Sequence, residues 1–547
     1  MANNRLICAF GTLTLAASLA AISAAALPTT KPLSLIGEGG NDHGYDMAPE
    51  TRLDVVEAAV AKLPTTLPAG PFEPTWNSLQ ANYKVPKWFI GAKFGLFLHW
   101  GLYSVPAHRS EWYEKFVYGN NSVRQWHTEH FGPLDKFGYK DFIPLFKQEK
   151  FDPDAWADLF KKSGARFVIP TAEHHENFAM WDSQVTPYNA MQMGPHRDLI
   201  GDLCKAVRKQ GLKFGVSNHG IENFQFINPP PELLSQLKAE KADLFDPEWK
   251  DFYNVADRSD AACEKFLVNW FERNVELIDK YRPDMLWFDN GVDQRYLDPL
   301  KLRIAAYYYN RAAQWGKEVS ISTKKAAYAP SGTNIHTIGS ILDFEGRIPP
   351  GIRTGAWQVD RSAGSSWGYT AEETFAGPEA IISYMAATVS QNGTYLLNLS
   401  PKSDGTIPQP EQDALLAVGK WLSANGEAIY DTHNWIKCSE NPPHGLNIRF
   451  TVNGDSLYAI ILGKWPGSEA LIKSLATGQA PEGTVSAVTM LGSPEKLQFT
   501  TDANGFKVTL PASPPCDYGY VLKIEGLKMN PPTGTEDGNP IMPAATQ

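Results

Sequence analysis

Between residues 76 and 425 short apolar runs keep giving way to amphipathic helical stretches. The runs read FGLFLHW, ARFVIPTAEHH, LKFGVSNHG, DMLWFDN, EVSISTKK, SILDFEG and TYLLNLSP. Between several of them lie helical patterns such as DAWADLFKKSG and LIGDLCKAVRKQG, each closed by a glycine in the manner of a helix C-cap. A strand, a helix and another strand at this spacing imply a parallel sheet, because parallel neighbours need a long crossover. Seven or eight such units in succession predict an α/β fold of the (β/α)8-like TIM-barrel kind, strands ringed by helices, over residues 76–428.

The pattern changes after residue 428. LNIRFTVNGDSLYAIILGKWPG shows two alternating runs about NGD, a hairpin signal. VSAVTMLGS, KLQFTT, GFKVTLP and YGYVLKIEG follow with turns and no helix, so residues 429–527 are expected to form a C-terminal antiparallel β-sandwich. The chain of 547 residues is longer than one core usually fills, which agrees with two domains. Residues 528–547, rich in Pro, Gly and Thr, read as a flexible tail, and residues 27–75 as a polar lead-in. Residues 1–26 carry Arg5 and then LICAFGTLTLAASLAAISAAA, an apolar stretch with a small-residue exit. Its Ala/Ser/Thr content favours a cleaved signal peptide over a membrane anchor. The expectation is a secreted or periplasmic protein with no stable membrane association after cleavage.

A net charge of −10 without any Lys/Arg stretch argues against nucleic acid as a partner. No phosphate-binding or dinucleotide loop is present, so no cofactor is expected. Of five cysteines, Cys8 lies in the leader, and Cys204 and Cys263 fall on apolar helix faces as buried thiols. Cys438 and Cys516 both fall in the last region, and the sequence leaves their pairing open. No CxxC or HxxxH spacing suggests a metal site.

The chemistry is concentrated where the strands end. There stand His99-Trp100, Glu173-His174-His175, Asn218-His219, Trp287 with Asp289, Lys324 and Glu345. Barrel enzymes place their sites at the carboxyl ends of the strands, and capping alone does not explain six strands with one habit. In DMLWFDNG, Asp289 is the candidate carboxylate nucleophile facing the barrel mouth, rather than a helix cap. Trp287, two residues earlier, shares its face and offers a wall for the apolar side of a sugar ring. His174 and His175 point to opposite faces of a regular strand, and both enter the site only if the chain leaves the pleat. A metal is the rival use of such a pair, but barrel metal hydrolases carry HxH on the first strand, where this chain has HW.

The chain resembles the retaining α-L-fucosidases of glycoside hydrolase family 29. The resemblance spans residues 76–527 and rests on WFIGAKFGLFLHWGLYSVP, EWYEKFVY, EHHENFAMWDS, LWFDNG, WQVDRSAGSSWGY and NGTYLLNLSPKSDGTIP, six motifs in family order. It implies a nucleophile at Asp289 and fucose-binding histidines at His99, His174 and His175. It further implies a hydroxyl contact at Glu111, ring stacking at Trp112 and an aromatic pocket floor at Trp287. Trp100 and Trp357 complete the expected substrate-binding set. Gly101 is expected to let the turn after His99 pass close.

Three departures from the family pattern stand out. VSNH replaces a YYS-like strand, so Asn218 or His219 takes the place of a tyrosine near the nucleophile. Lys324 stands where many members have Arg, losing a two-pronged donor. WQVD replaces WE, so Gln358 has no acid to offer. Of Glu111, Glu173, Glu222 and Glu345, we take Glu345 as the acid/base, with its carboxyl carbon about 5–5.5 Å from that of Asp289, as retention requires. The expected partners are α-L-fucosylated oligosaccharides or glycoconjugates. The alternatives are an α-L-galactosidase, a sugar-binding protein without catalysis, and a metal-dependent hydrolase.

Overall fold

The runs FGLFL, MLWF and TYLLNL are buried on both faces, as strands must be when a sheet is covered inside and out. In the computed structural model, which describes residues 53–532 except 326, 331–336 and 442–444, eight parallel strands close into a barrel. They are β1 (Phe94–Leu98), β2 (Phe167–Glu173), β3 (Lys213–Asn218), β4 (Met285–Phe288), β5 (Ser320–Thr323), β6 (Ile341–Asp343), β7 (Trp357–Ser362) and β8 (Thr394–Leu399). Closure comes from β1, whose Leu98 lies beside Pro170 of β2 and Leu399 of β8.

Seven of these strands are the expected runs. The eighth, β7, opens WQVDRSAGSSWGY and has no apolar run to announce it. Its polar Gln358 and Asp360 turn towards Asp343 and Lys324, while Arg361 lies over the Tyr384 ring of the neighbouring helix. The helices Pro153–Lys162, Leu199–Lys209, Asp260–Tyr281, Asp298–Trp315 and Pro378–Ser390 cover the outside. Side-chain caps start the first three: Asp152 accepts from the Ala155 amide at 3.0 Å, Asp198 from Gly201 at 2.8 Å and Ser259 from Ala262 at 3.3 Å. Among the described residues no helix separates β5 from β6 or β6 from β7.

The lead-in from residue 53 onward packs on the barrel instead of merely preceding it. Helix Leu53–Ala61 buries Val55, Val56 and Ala59 against helices Asp260–Tyr281 and Asp298–Trp315. The Asn310 amide then clamps residues 68–72, donating to the Pro68 and Phe72 carbonyls and accepting from the Phe72 amide. The leader at 1–26 lies outside the described residues, as does most of the 528–547 tail.

The C-terminal region comprises β9 (His433–Glu440), β10 (Asn447–Asn453), β11 (Ser456–Leu462), β12 (Glu469–Ile472), β13 (Gly483–Met490), β14 (Phe499–Asp502), β15 (Gly505–Thr509) and β16 (Gly519–Leu527). They form an antiparallel five-stranded sheet ordered β13-β16-β11-β10-β9 and a three-stranded sheet ordered β12-β15-β14. The NGD hairpin is there: Asn453 pairs with Ser456, and Gly454 takes the positive φ of 56° that so short a turn needs. Cys204 and Cys263 are buried free thiols, and Cys438 and Cys516 are also unpaired. No helix among the described residues is long and apolar enough to cross a membrane.

Candidate active site

Asp289 sits one residue past β4 and is 8% exposed. Its Oδ2 receives His219 Nδ1 at 2.9 Å, and its Oδ1 lies 3.0 Å from Lys324 Nζ. Asn290 Nδ2 donates to Oδ1 at 3.2 Å, and His175 Nε2 stands 3.8 Å from Oδ2. Burial alone would push the carboxyl up, but Lys324, His219 and His175 together hold it well below the usual range. The group is therefore an ionised, desolvated carboxylate, the form that attacks an electrophilic carbon.

Burial pulls His219 down to about 4 even though Asp289 opposes it, so the ring is neutral. A neutral imidazole has one donor and one acceptor. Facing a carboxylate, Nδ1 carries the proton, which leaves Nε2 to accept from Ser217 Oγ at 3.1 Å. Of the two residues open for the missing tyrosine, His219 takes the contact. Asn218 does not: it is fully buried and turns outward, accepting from Trp270 Nε1 at 3.0 Å and donating to Glu173 at 3.1 Å. The pleat is the reason, since neighbours on a strand point to opposite faces. Glu173 also points away from the site, paired with buried Arg273.

His99, His174 and His175 do converge. The His174 ring lies 5.6 Å from His99, 4.3 Å from His175 and 4.7 Å from His219. His99 Nδ1 meets Asn398 Oδ1 at 2.7 Å, and burial keeps the ring well below the ordinary histidine range, hence neutral. Asn398 Oδ1 only accepts, so Nδ1 holds the proton and Nε2 is left as an acceptor. His174 Nδ1 is 3.3 Å from Glu176 Oε2. The same Glu176 fixes the turn after His99, because a Cβ on Gly101 would come within 2.5 Å of its Oε1 and 2.6 Å of the Tyr103 ring.

Trp287 Nε1 donates to Asp343 at 2.7 Å, and its ring lies 5.1 Å from His219 and 4.8 Å from Phe97. Trp112 meets His175 edge-on at 5.6 Å. Glu111 is buried, with Oε2 accepting from Ser366 Oγ at 3.2 Å and the Gly368 amide at 3.3 Å, while Oε1 has no protein partner. Burial pushes its carboxyl up.

Two tryptophans leave the predicted set. Trp100 is fully buried and turns to the outer helix layer, donating to the Thr171 carbonyl at 2.9 Å and packing on Phe151 and Trp156. Trp357 opens β7 at the opposite end from the site and turns outward to the Gln391 carbonyl at 3.3 Å. Trp367 belongs to the site and was missed. It lies in the loop after β7, with its ring 5.2 Å from His99 and 5.7 Å from Lys324 Nζ. Asn398, which orients His99 and donates to the Trp367 carbonyl at 2.8 Å, was also missed. It stands near the end of LLNL in β8, where the strand-end rule would have found it.

Glu345 lies just past β6 with its side chain 35% exposed, and its Oε2 is 2.9 Å from Lys324 Nζ. Glu222, also near Asp289, is fully buried, 3.6 Å from His175 Nδ1. Burial and the charge of Asp289 push it well above the carboxylate range. Two trios could in principle grip a cation, His99-His174-His219 and His175-His219-Asp289. Both draw on His219, whose two ring nitrogens are already engaged by Asp289 and Ser217.

A family model described as alpha-L-fucosidase matches residues 59–427, and one described as alpha-L-fucosidase C-terminal domain matches residues 441–525. The chain is 32% identical to the tissue alpha-L-fucosidase of Bos taurus over 483 residues, 84% of this chain and 92% of the relative. It is 31% identical to the Homo sapiens tissue alpha-L-fucosidase over 481 residues, again 84% and 92% of the two chains. Among solved structures, Thermotoga maritima alpha-fucosidase in complex with fucose is similar, with a TM-score of 0.68 and 32% identity over 83% of this chain and 100% of that one.

Proposed function

The chain belongs to the α-L-fucosidase family of glycoside hydrolases, and from that premise we propose an exported exo-enzyme that removes terminal α-L-fucosyl residues from glycans with retention. The apolar leader at residues 1–26 supports export to the periplasm or the exterior. Asp289 attacks the anomeric carbon as its bond to the aglycone oxygen breaks, and Glu345 gives its proton to that oxygen. The sugar is then an ester of Asp289. Glu345, now a carboxylate, takes a proton from water as the water oxygen attacks the same carbon and frees Asp289. His99, through its bare Nε2, and Glu111, through Oε1, accept hydroxyl protons from the sugar, while Trp287, Trp112 and Trp367 wall its apolar faces.

One observation carries this reading. Asp289 and Glu345 both reach the Lys324 nitrogen, at 3.0 and 2.9 Å. Their near oxygens are therefore no further apart than those two distances end to end. That bound accommodates the roughly 5–5.5 Å carboxyl spacing of retaining enzymes.

The test is proton NMR of an aryl α-L-fucoside digest in its first minutes. α-L-Fucose appearing before the β anomer is the expected result; β first overturns retention. In parallel, Asp289→Gly is expected to lose several orders of magnitude in turnover and to recover with azide on an activated substrate. Glu345→Ala is expected to harm substrates with poor leaving groups far more than activated ones, and equal loss on both returns the acid role to Glu111 or Glu222. Turnover of α-L-galactosides in preference to fucosides would move the reading to that substrate.

A further inference from the structure

Lys324 follows β5 and is 7% exposed, with the Trp287 ring 5.0 Å and the Trp367 ring 5.7 Å from its nitrogen. Asp289 at 3.0 Å and Glu345 at 2.9 Å share that nitrogen, and the Asp360 carboxyl, which burial and Asp343 push well above its ordinary range, stands 3.7 Å away. Asp343 on β6, His219 beyond β3 and Glu222 also act on this group electrostatically. An ammonium is a point charge with three donors, able to serve several acceptors at once and to lean from one to another. A guanidinium fork would commit two parallel donors to a single carboxylate. A lysine at this position can thus divide its charge between the two reacting acids.

Resting on the retaining reading above, we propose that Lys324 is a positioning residue that shifts its charge from Asp289 to Glu345 within each cycle, so that forming the ester readies Glu345 to act as base. In the resting site the ammonium is divided between Asp289 and Glu345. Glu345 then gives its proton to the departing oxygen while Asp289 becomes a neutral ester. The ammonium, still protonated, loses its partner on that side and turns fully to the new Glu345 carboxylate. It stabilises that carboxylate until a water proton is taken, after which released Asp289 reclaims its share.

The proposal is tested with Lys324→Met and Lys324→Gln on an activated aryl α-L-fucoside. The expected result is a burst of about one equivalent of phenol and then a steady rate at least about 10-fold slower. The acid limb of kcat should move to higher pH, because Asp289 loses the cation that holds its carboxyl down. Azide, a nucleophile that needs no general base, should speed the steady phase. Equal losses in kcat and kcat/KM, with neither burst, shift nor azide effect, overturn the proposal. A crystal structure of the parent enzyme trapped as its 2-fluorofucosyl ester tests it without any variant. Lys324 Nζ should then be bonded to Glu345 and withdrawn from the ester; an ammonium still on Asp289 and off Glu345 overturns it. Full activity of Asp289→Gly would sink the retaining reading itself, whereas an inactive, azide-rescued Asp289→Gly beside a burst-free Lys324→Met sinks only the role of Lys324.

Discussion

At the scale of single residues, the hydrogen bond from His219 to Asp289 is the contact most open to a clean test. A neutral donor at 2.9 Å steadies the carboxylate without cancelling its charge. Phenylalanine keeps the ring but has no Nδ1–H, and hydrogen bonds to charged groups are worth about 1.5–3 kcal/mol. His219→Phe is expected to lose about 10- to 100-fold in kcat/KM on aryl α-L-fucosides while keeping the parent's circular dichroism. Undiminished kcat/KM would show that Lys324, Asn290 and His175 suffice to hold Asp289. Where a polar group ends an apolar strand, as for Asp289, His99 and Lys324, the structure brings the expected side chains together. Reading residues from sequence failed for Asn218, Trp100 and Trp357, because motif membership does not tell which face of the pleat, or which end of a strand, a side chain occupies.

At the scale of elements, the loop from Ser362 to Ala376 carries Trp367 into the site, and Glu373 ties it down. That carboxyl accepts from the Ser366 amide at 3.3 Å, the Thr370 amide at 3.5 Å and Ser400 Oγ at 2.9 Å. Burial pushes it from 4.5 up to about 8, despite these bonds. The folded state therefore holds a proton that the unfolded chain releases, and stability falls as pH rises from about 4.5 to about 8, then levels off. Glu373→Gln removes this dependence. Melting curves should show the variant gaining on the parent across that window, with no further gain above it. A difference in Tm that stays constant with pH would mean the carboxyl ionises freely in place. Elements built on apolar runs and glycine caps were legible in sequence. β7 was not, since its inner face is polar; nor was helix Leu53–Ala61, whose partners lie more than two hundred residues away.

At the scale of the molecule, barrel and C-terminal sheets share a core. Alternate residues of β11 serve two interiors: Leu457, Ala459 and Ile461 fill the space between the C-terminal sheets, while Tyr458, Ile460 and Leu462 join the core of the barrel and its helices. Trp421 Nε1 donates across the seam to the Gly519 carbonyl at 2.9 Å, and Thr451 Oγ1 to Ala428 at 2.8 Å. The sequence announced two domains through the change of period. It was silent on this seam, because a strand buried on both faces reads the same whatever lies behind it.

The closed barrel leaves no strand with an open flank, so among the described residues strand-by-strand growth into polymers begins in the C-terminal sheets. There β9, β12, β13 and β14 end their sheets, and β9 displays Ile436, 62% exposed. An apolar residue on an open flank invites a second chain to lengthen the sheet. Ile436→Lys should therefore scatter less light on warming at high concentration while hydrolysing fucosides at the parent rate. Unchanged scattering would place the start of aggregation in unfolded chains. Catalytic groups and open sheet edges thus fall in different regions of one chain, so Ile436→Lys probes the second without touching the first.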